Sequence, residues 1–579
     1  MTLRALRMAR RKLTGLKLTG LKLRELIADR RGNVLAMGAA ALIPLMAMMG
    51  GAIDLSRLYM TNTRLQQACD AGALAARRTM ADVNTLSDSE KAIAVNYFNF
   101  NFPQDTYGAG RPVPVYARGT VGTVVGNVSL AVPMSVMKIF GYRTVTLNIS
   151  CQSTLVVPNT DVMFVLDVTG SMNDIPTGDT QSKIAGLKQA VKDFYSALGP
   201  GTASGPGRVR YGFMPYSSNV NVGKIVYNLN HGYIVGGNGP ENADYQSRTW
   251  TVSSKKVVTW TYQKASFDVS QIVQTGSGPN PAYYRGTWSG TDPNTNVEDY
   301  STNWYGGTYV SRTSATASTV TWGGCIEEAR TVPTITASSS LTPPSDAADL
   351  NIDLVPSSTE TRWKPFLPQL QYNRSDALWM GRNWEWIDNG FAACPREARA
   401  LTQYASDYIT ATKSSTSFND YVDSLSAVGG TYHDIGLIWG ARFLSQDGIF
   451  ASTNSDASAP GGFQVSRHIV FMTDGTLDTR AGANDPWGVN TMDGRIADTT
   501  ASDATVTASH SRRVDIICNA MKGKGFTVWV VGFGISTLPT QLTACASDAE
   551  HASVASNSAQ LRGRFQQIAQ TIGGLRLSQ

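Results

Sequence analysis

Twenty successive residues, Val34 to Ile53, carry no charged side chain. As a helix such a run measures ~30 Å, the thickness of a bilayer's hydrocarbon core. A chain that contains it must either bury it in a large core or pass it through a membrane. The flanks decide between the two. Residues 1–32 hold ten Lys/Arg against Glu25 and Asp29, a net +8, so the rest of the chain sums to −2 of the total +6. One-sided positive charge of this kind orients a membrane helix with its basic end in the cytoplasm. The run is longer than the apolar stretch of a secretory signal, and no small-x-small cleavage site closes it before Asp54. The sequence therefore predicts a basic cytoplasmic tail over 1–32, an uncleaved transmembrane helix over 33–54 in contact with lipid, and everything after Asp54 outside. Pro44 is tolerated in such a helix. Because the surplus charge sits in the tail, the basic pI does not argue for nucleic acid.

With 579 residues the chain has room for several domains. Asp54 to about Met80 is Ala-rich and predicts a helix that prolongs the span into a rod of roughly 70 Å; the plainer alternative is a juxtamembrane spacer. Val128, Leu130, Val132 and Met134, then Val145, Leu147, Ile149 and Cys151, recur with period two. They predict strands of a small β-rich domain between stalk and head, within 55–156. From about residue 157 the pattern changes again. Strand-like runs at 162–167, 208–215, 468–473 and 526–533 alternate with helical spacing at 182–198, 434–445, 513–522 and 560–572. This is an α/β pattern and predicts a doubly wound parallel sheet. A stretch over about 217–427 interrupts it and holds nine of the twelve Trp. Alternating residues such as Lys256 to Tyr262 suggest β-hairpins there. The Trp residues either build a recognition surface or fill a thin core. As a whole, an insertion beside a ligand site is a plausible specificity element.

The chemistry gathers at strand ends. Asp167-Val168-Thr169-Gly170-Ser171 follows the apolar run 161–166 and places one carboxylate and two hydroxyls at alternate positions. Ligands of open α/β sheets bind at such carboxyl ends. Oxygen-only donors suit a hard cation, Mg²⁺ first and Mn²⁺ or Ca²⁺ after it. Gly429-Gly430-Thr431 offers another hydroxyl, and the run from His468 ends in Asp474-Gly475. The competing reading of the first motif is a Ser/Thr-rich turn capping a helix near Gln181. Asp174 stands just past the loop, where it could serve an adjacent regulatory cation. Ser171, His433 and Asp474 have the composition of a catalytic triad. Ser171 is better explained as a metal ligand, however, and His433 as a packing or capping residue. There is no His-Glu-x-x-His pair and no Walker-type phosphate loop. A binding protein is expected, and not an enzyme.

Asp167, Thr169, Ser171, Thr431 and Asp474, in that order, resemble the metal-ion-dependent adhesion site of von Willebrand factor A (vWA) domains. The resemblance implies direct metal contact by Thr169 and Ser171, with Asp167 and Asp474 acting through water. Thr431 would join on ligand binding, and a partner's Asp or Glu would fill an open coordination position. The amino terminus resembles a second family, the TadE/TadG-like proteins of Flp (tight adherence) pilus assembly. Arg30-Arg31-Gly32-Asn33-Val34, Leu42-Ile43-Pro44, Asp54-Leu55-Ser56-Arg57, the run Leu65 to Ala76 and Asn96 to Phe102 carry that likeness. It implies a bacterial inner-membrane protein with other pilus-assembly components as partners and a carboxy-terminal domain in the periplasm or at the surface. Type IV prepilins processed after Gly carry Glu five positions on; Met37 stands there, which argues against processing.

Six Cys with no Cys-x-x-Cys pair argue against a zinc or redox motif. Their even number suits disulfides in an oxidising compartment. Of fifteen possible pairings, Cys325 with Cys394 and Cys518 with Cys545 are favoured. Cys69 and Cys151 either pair with each other or stay free as buried small apolar residues.

Overall fold

The computed structural model describes residues 33–80, 85–119, 123–154, 159–199, 208–252, 257–282, 308–310, 319–372, 393–404, 417–459 and 464–574. The basic tail 1–32 lies outside them. The chain forms two compact units, Met1–Met80 with Asn84–Thr154, and Ala81–Val83 with Leu155–Gln579.

The amino-terminal unit is organised on one helix, α1 (Asn33–Thr79). Pro44 sits inside it without ending it. Its first half is apolar on all sides, with Met37, Met46, Met48 and Ile53 exposed, and is long and apolar enough to cross a bilayer. Its second half is one-sided: Leu65, Ala68, Cys69, Ala73 and Ala76 are fully buried at the spacing of one helix face. Helix α2 (Asp88–Asn101) opens with a capping box between Ser87 and Glu90; Ser87 N donates to Glu90 Oε2 at 2.7 Å. Three antiparallel strands follow, β1 (Val115–Arg118), β2 (Thr123–Pro133) and β3 (Thr144–Thr154), in the order β1-β2-β3. Val124, Val128, Leu130, Val132 and Ile149 face the helical residues named above, together with Ala94 and Phe98 of α2.

The stalk helix and the small β domain pack on each other. A meander with alternating residues has one apolar face to cover, and the Ala-rich face of α1 covers it. Cys69 and Cys151 form a disulfide across that contact.

The second unit contains β4 (Thr160–Asp167), α3 (Lys183–Leu198), β5 (Val209–Tyr216), the hairpin β6 (Asn242–Val252) and β7 (Val257–Asp268), and β8 (Arg399–Thr402). It continues with α4 (His433–Leu444), β9 (Ser466–Thr473), α5 (Asp503–Gly523), β10 (Thr527–Phe533), β11 (Ala552–Ala555) and α6 (Ser558–Gly574). Six strands form one sheet in the order β8-β5-β4-β9-β10-β11. All eight residues of β4 and of β5 are buried, as a central parallel strand requires. Helices α3 and α6 cover one face, through Leu187, Phe194, Leu561 and Phe565, and α4 and α5 the other, through Ile435, Trp439, Val514 and Ile517.

The sheet is mixed, not wholly parallel: β8 runs antiparallel to β5. Strand β8 also comes from within the 217–427 stretch that reads as an insertion. It is a short, half-buried edge strand without an alternating or continuous apolar pattern, so the sequence does not announce it.

Elsewhere that stretch packs over the α4/α5 face. Trp322 and Trp363 are buried in the core there, so these two fill space and do not present a surface. Trp250 and Trp260 stand opposite each other in the β6–β7 register. Trp288, Trp304, Trp379, Trp384 and Trp386 lie outside the described residues. Both favoured disulfides are present, Cys325–Cys394 and Cys518–Cys545.

Candidate metal centre

Counted in chain order, the six strands run 3-2-1-4-5-6 across the sheet. The order reverses between β4 and β9, and the crevice outside the carboxyl ends of those strands is the switch point where α/β sheets bind ligands. Register pairs Leu166 with Met472, so Asp167 and Asp474 emerge at the same end of the sheet.

Asp167 is fully buried. Its Oδ1 accepts the Thr169 N–H at 3.0 Å, and its Oδ2 accepts Thr473 Oγ1 at 2.9 Å and the Tyr216 hydroxyl at 3.2 Å. Asp474 accepts Ser171 Oγ on Oδ1 at 2.9 Å and Lys183 Nζ on Oδ2 at 2.9 Å. The Thr169 and Ser171 hydroxyl oxygens lie 3.0 Å apart. Asp167, Thr169, Ser171 and Asp474 therefore form one hydrogen-bonded group, and Ser171 is its exposed rim.

The loop that carries Thr431 is stitched to the first motif by its backbone. Val428 N donates to Val168 O at 2.7 Å, and Gly170 N to Gly429 O at 2.9 Å. Gly429 has φ +73°, and a Cβ there would fall 2.8 Å from Ala393 Cβ and 2.9 Å from Ser218 Oγ. Only glycine suits that position. Thr431 itself is buried, and its carbonyl accepts Asp478 N at 3.0 Å. Among the described residues no hydrogen bond joins its hydroxyl to the other four side chains.

Burial pushes the Asp167 carboxyl above the usual carboxylate range, against the pull of its Thr169 and Thr473 bonds. Asp474 is raised by burial and by the negative charge of Asp167, with Lys183 opposing. Of these two buried acids, Asp474 is the one paired with Lys183. His433 adds no second charge: burial lowers its pKa to about 4, and its ring packs between Tyr216 and Phe471. His433 Nε2 lies 3.0 Å from Thr473 Oγ1, while Ser171 bonds Asp474 directly, so the three side chains of the imagined triad are not connected in triad order.

The donor set is all oxygen, two carboxylates and three hydroxyl residues, which fits a hard divalent cation. No cluster of three or more His, Cys, Asp or Glu suited to a metal occurs among the described residues. Asp174 is exposed, and its carbonyl accepts the Lys183 N–H at 2.9 Å; it holds the start of α3.

Sequence reasoning missed Lys183, Thr473 and Tyr216. Lys183 left one signal: a cation in the first turn of a helix opposes the helix dipole, and a nearby anion is the usual compensation.

Residues 32–81 match the family model for Flp pilus-assembly TadE/G-like proteins (Tad). The amino-terminal segment is TadE/G-like. The match covers α1 and agrees with the motifs read there. No curated protein matches the chain. Among solved structures, the chain is similar to the pilus adhesin SpaC from Lactobacillus rhamnosus GG, at 11% identity and a TM-score of 0.28, over 80% of this chain and 34% of that one. The open conformation of SpaC gives 10% and 0.27, over 80% and 33%. The adhesive tip pilin GBS104 from Group B Streptococcus agalactiae gives 11% and 0.26, over 71% and 99%. The chain spans about a third of the length of SpaC.

Proposed function

We propose that this chain is a membrane-anchored component of an Flp-type pilus system whose α/β unit, of vWA type, binds a protein partner through a divalent cation. The observation that carries the reading is the charge of the site: two buried carboxylates, from adjacent strand ends, are ringed by hydroxyls, and a lysine, Lys183, pairs with Asp474. Ser171 and Thr169 would touch Mg²⁺ (or Mn²⁺ or Ca²⁺) directly, Asp167 and Asp474 through water, and Thr431 on partner binding. A bound cation would present a positive charge and an open position to a partner's Asp or Glu. The chain's part is to keep Asp167 fixed through Thr473 and Tyr216 and to hold the Thr431 loop against the first motif. The TadE/G-like segment supports a place in pilus assembly, with other pilus components as partners. The apolar half of α1 supports a single-pass anchor in the inner membrane, with the tail in the cytoplasm.

Calorimetric titration of Mg²⁺ and Mn²⁺ into the detergent-solubilised full chain tests this, with Asp167→Ala beside it. Saturable heat in the wild type that vanishes in the variant is expected. Absence of heat in the wild type overturns it. One observation favours a second reading, a structural scaffold with a non-binding head: the Lys183–Asp474 pair already neutralises half of the site. A silent titration would move that reading ahead.

A further inference from the structure

The motif Asp54-Leu55-Ser56-Arg57 ends the uncharged run, and its two charged residues reach for one loop. Asp54 accepts the backbone N–H groups of Ser135 at 2.8 Å, Val136 at 2.9 Å and Met137 at 2.7 Å. Arg57 donates to Ser135 Oγ at 2.7 Å and to Pro133 O at 3.2 Å. One turn earlier, the absence of a side chain at Gly50 lets the loop approach: a Cβ there would lie 2.2 Å from Val136 Cγ1. The segment between β2 and β3 is thus locked to α1 at residues 50–57, the level at which the apolar run stops.

What the loop then presents is unusual for a water-facing turn. In a 3₁₀ turn over Met137–Phe140, Ile139 is 77% exposed and Phe140 41%, and just after it Tyr142 is 64% exposed. Lys138 and Arg143 flank them and are exposed too. Aliphatic and aromatic tips between basic residues have the composition of a bilayer interface, where aromatic rings sit at headgroup depth and long cations reach lipid phosphates. An apolar tip held at the end of a membrane helix is already at that depth.

We propose that residues 138–143 form a second membrane contact, a loop that dips into the lipid interface beside α1 and fixes how deep the helix sits. This rests on the reading of α1 as a membrane span. Anionic phospholipid headgroups are its ligand chemistry, through Lys138 and Arg143, with Ile139, Phe140 and Tyr142 among the upper acyl chains.

The test is photolabelling of the full chain in vesicles of phosphatidylethanolamine and phosphatidylglycerol that carry a diazirine on a lipid acyl chain, with labelled peptides mapped by mass spectrometry. Two labelled segments are expected, one within 34–53 and one within 136–143. Label in α1 with a clean loop overturns the inference and leaves the anchor standing. No label in either segment removes the anchor reading, and the inference with it. The double variant Ile139→Ser/Phe140→Ser, at exposed positions, should lose the loop label and keep the helix label with an unchanged melting temperature. Loop cross-links to a second copy in place of lipid would also overturn the proposal.

Discussion

Where residues 326–372 meet α4 and α5, two buried acids each pair with an arginine. Glu328 lies 3.0 Å from Arg442, Asp349 lies 2.6 Å from Arg513, and all four side chains are fully buried. An indole also serves each acid: Trp439 Nε1 donates to Glu328 and Trp487 Nε1 to Asp349. At the carboxyl end of the sheet the ratio differs. Lys183 pairs with Asp474, whereas the bonds to Asp167 come from hydroxyls and backbone N–H groups. The seam is closed electrostatically and serves to join two parts of the unit. The site keeps an uncompensated acid where a fold built only for stability would pair or remove it.

The largest effect is expected at the seam. Arg442→Met leaves Glu328 buried without its partner and should cost about 3–5 kcal/mol in chemical denaturation. A loss below ~1 kcal/mol would mean that the seam charges are reached by water. His433 sharpens the other side of the comparison. Its folded pKa of about 4 lies below the ordinary 6.5, so the unfolded chain takes up that proton first. Its contribution to stability is full above 6.5 and is lost as pH falls towards 4. Between about pH 7 and pH 5 the metal-free protein should lose about 2 kcal/mol through this residue, and His433→Gln should flatten that part of the pH–stability curve. An unchanged curve would mean that burial does not depress the His433 pKa in the folded protein.

Asp167→Asn should behave in the opposite sense to the seam variant. Removal of an unpaired buried charge should leave metal-free stability unchanged or raise it by up to about 2 kcal/mol, whereas divalent binding disappears. Marked destabilisation would class Asp167 with the seam acids. The smallest effect is expected from Lys183→Met. With the competing ammonium gone, divalent affinity should tighten about tenfold, ~1.4 kcal/mol. Weaker binding in that variant would assign Lys183 to positioning Asp474.

Legibility followed range along the chain. Strands β4 and β9 were readable because central parallel strands are continuous apolar runs, and the acids at their ends then stand out. Lys183 was not, because it meets Asp474 across 291 positions and a lysine opening a helix looks like any surface residue. Glu328 was not, because Glu-Glu-Ala-Arg at 327–330 reads as a solvated turn until Arg442 and two indoles close on it. Strand β8 lacks any periodic signal and exists through its pairing with β5. The helical face at Leu65 to Ala76 and the alternating residues of β2 and β3 were each legible; that they cover one another was not, since neither pattern names its partner.

The disulfide between Cys69 and Cys151 has a mechanical consequence. The chain enters the amino-terminal unit along α1 and leaves it at the end of β3, Thr154. The bridge joins those two elements close to the exit, across a sequence separation of 82. Tension applied from the amino-terminal end of α1 therefore passes from residue 69 to residue 151 through sulfur, and α2, β1 and most of the meander hang on a slack branch that feels none of it. While the bridge is closed the tether has a fixed length. Once it is reduced, unravelling the branch would lengthen the tether by about 280 Å, at ~3.4 Å per extended residue, so the redox state of the compartment sets how far such a protein can stretch.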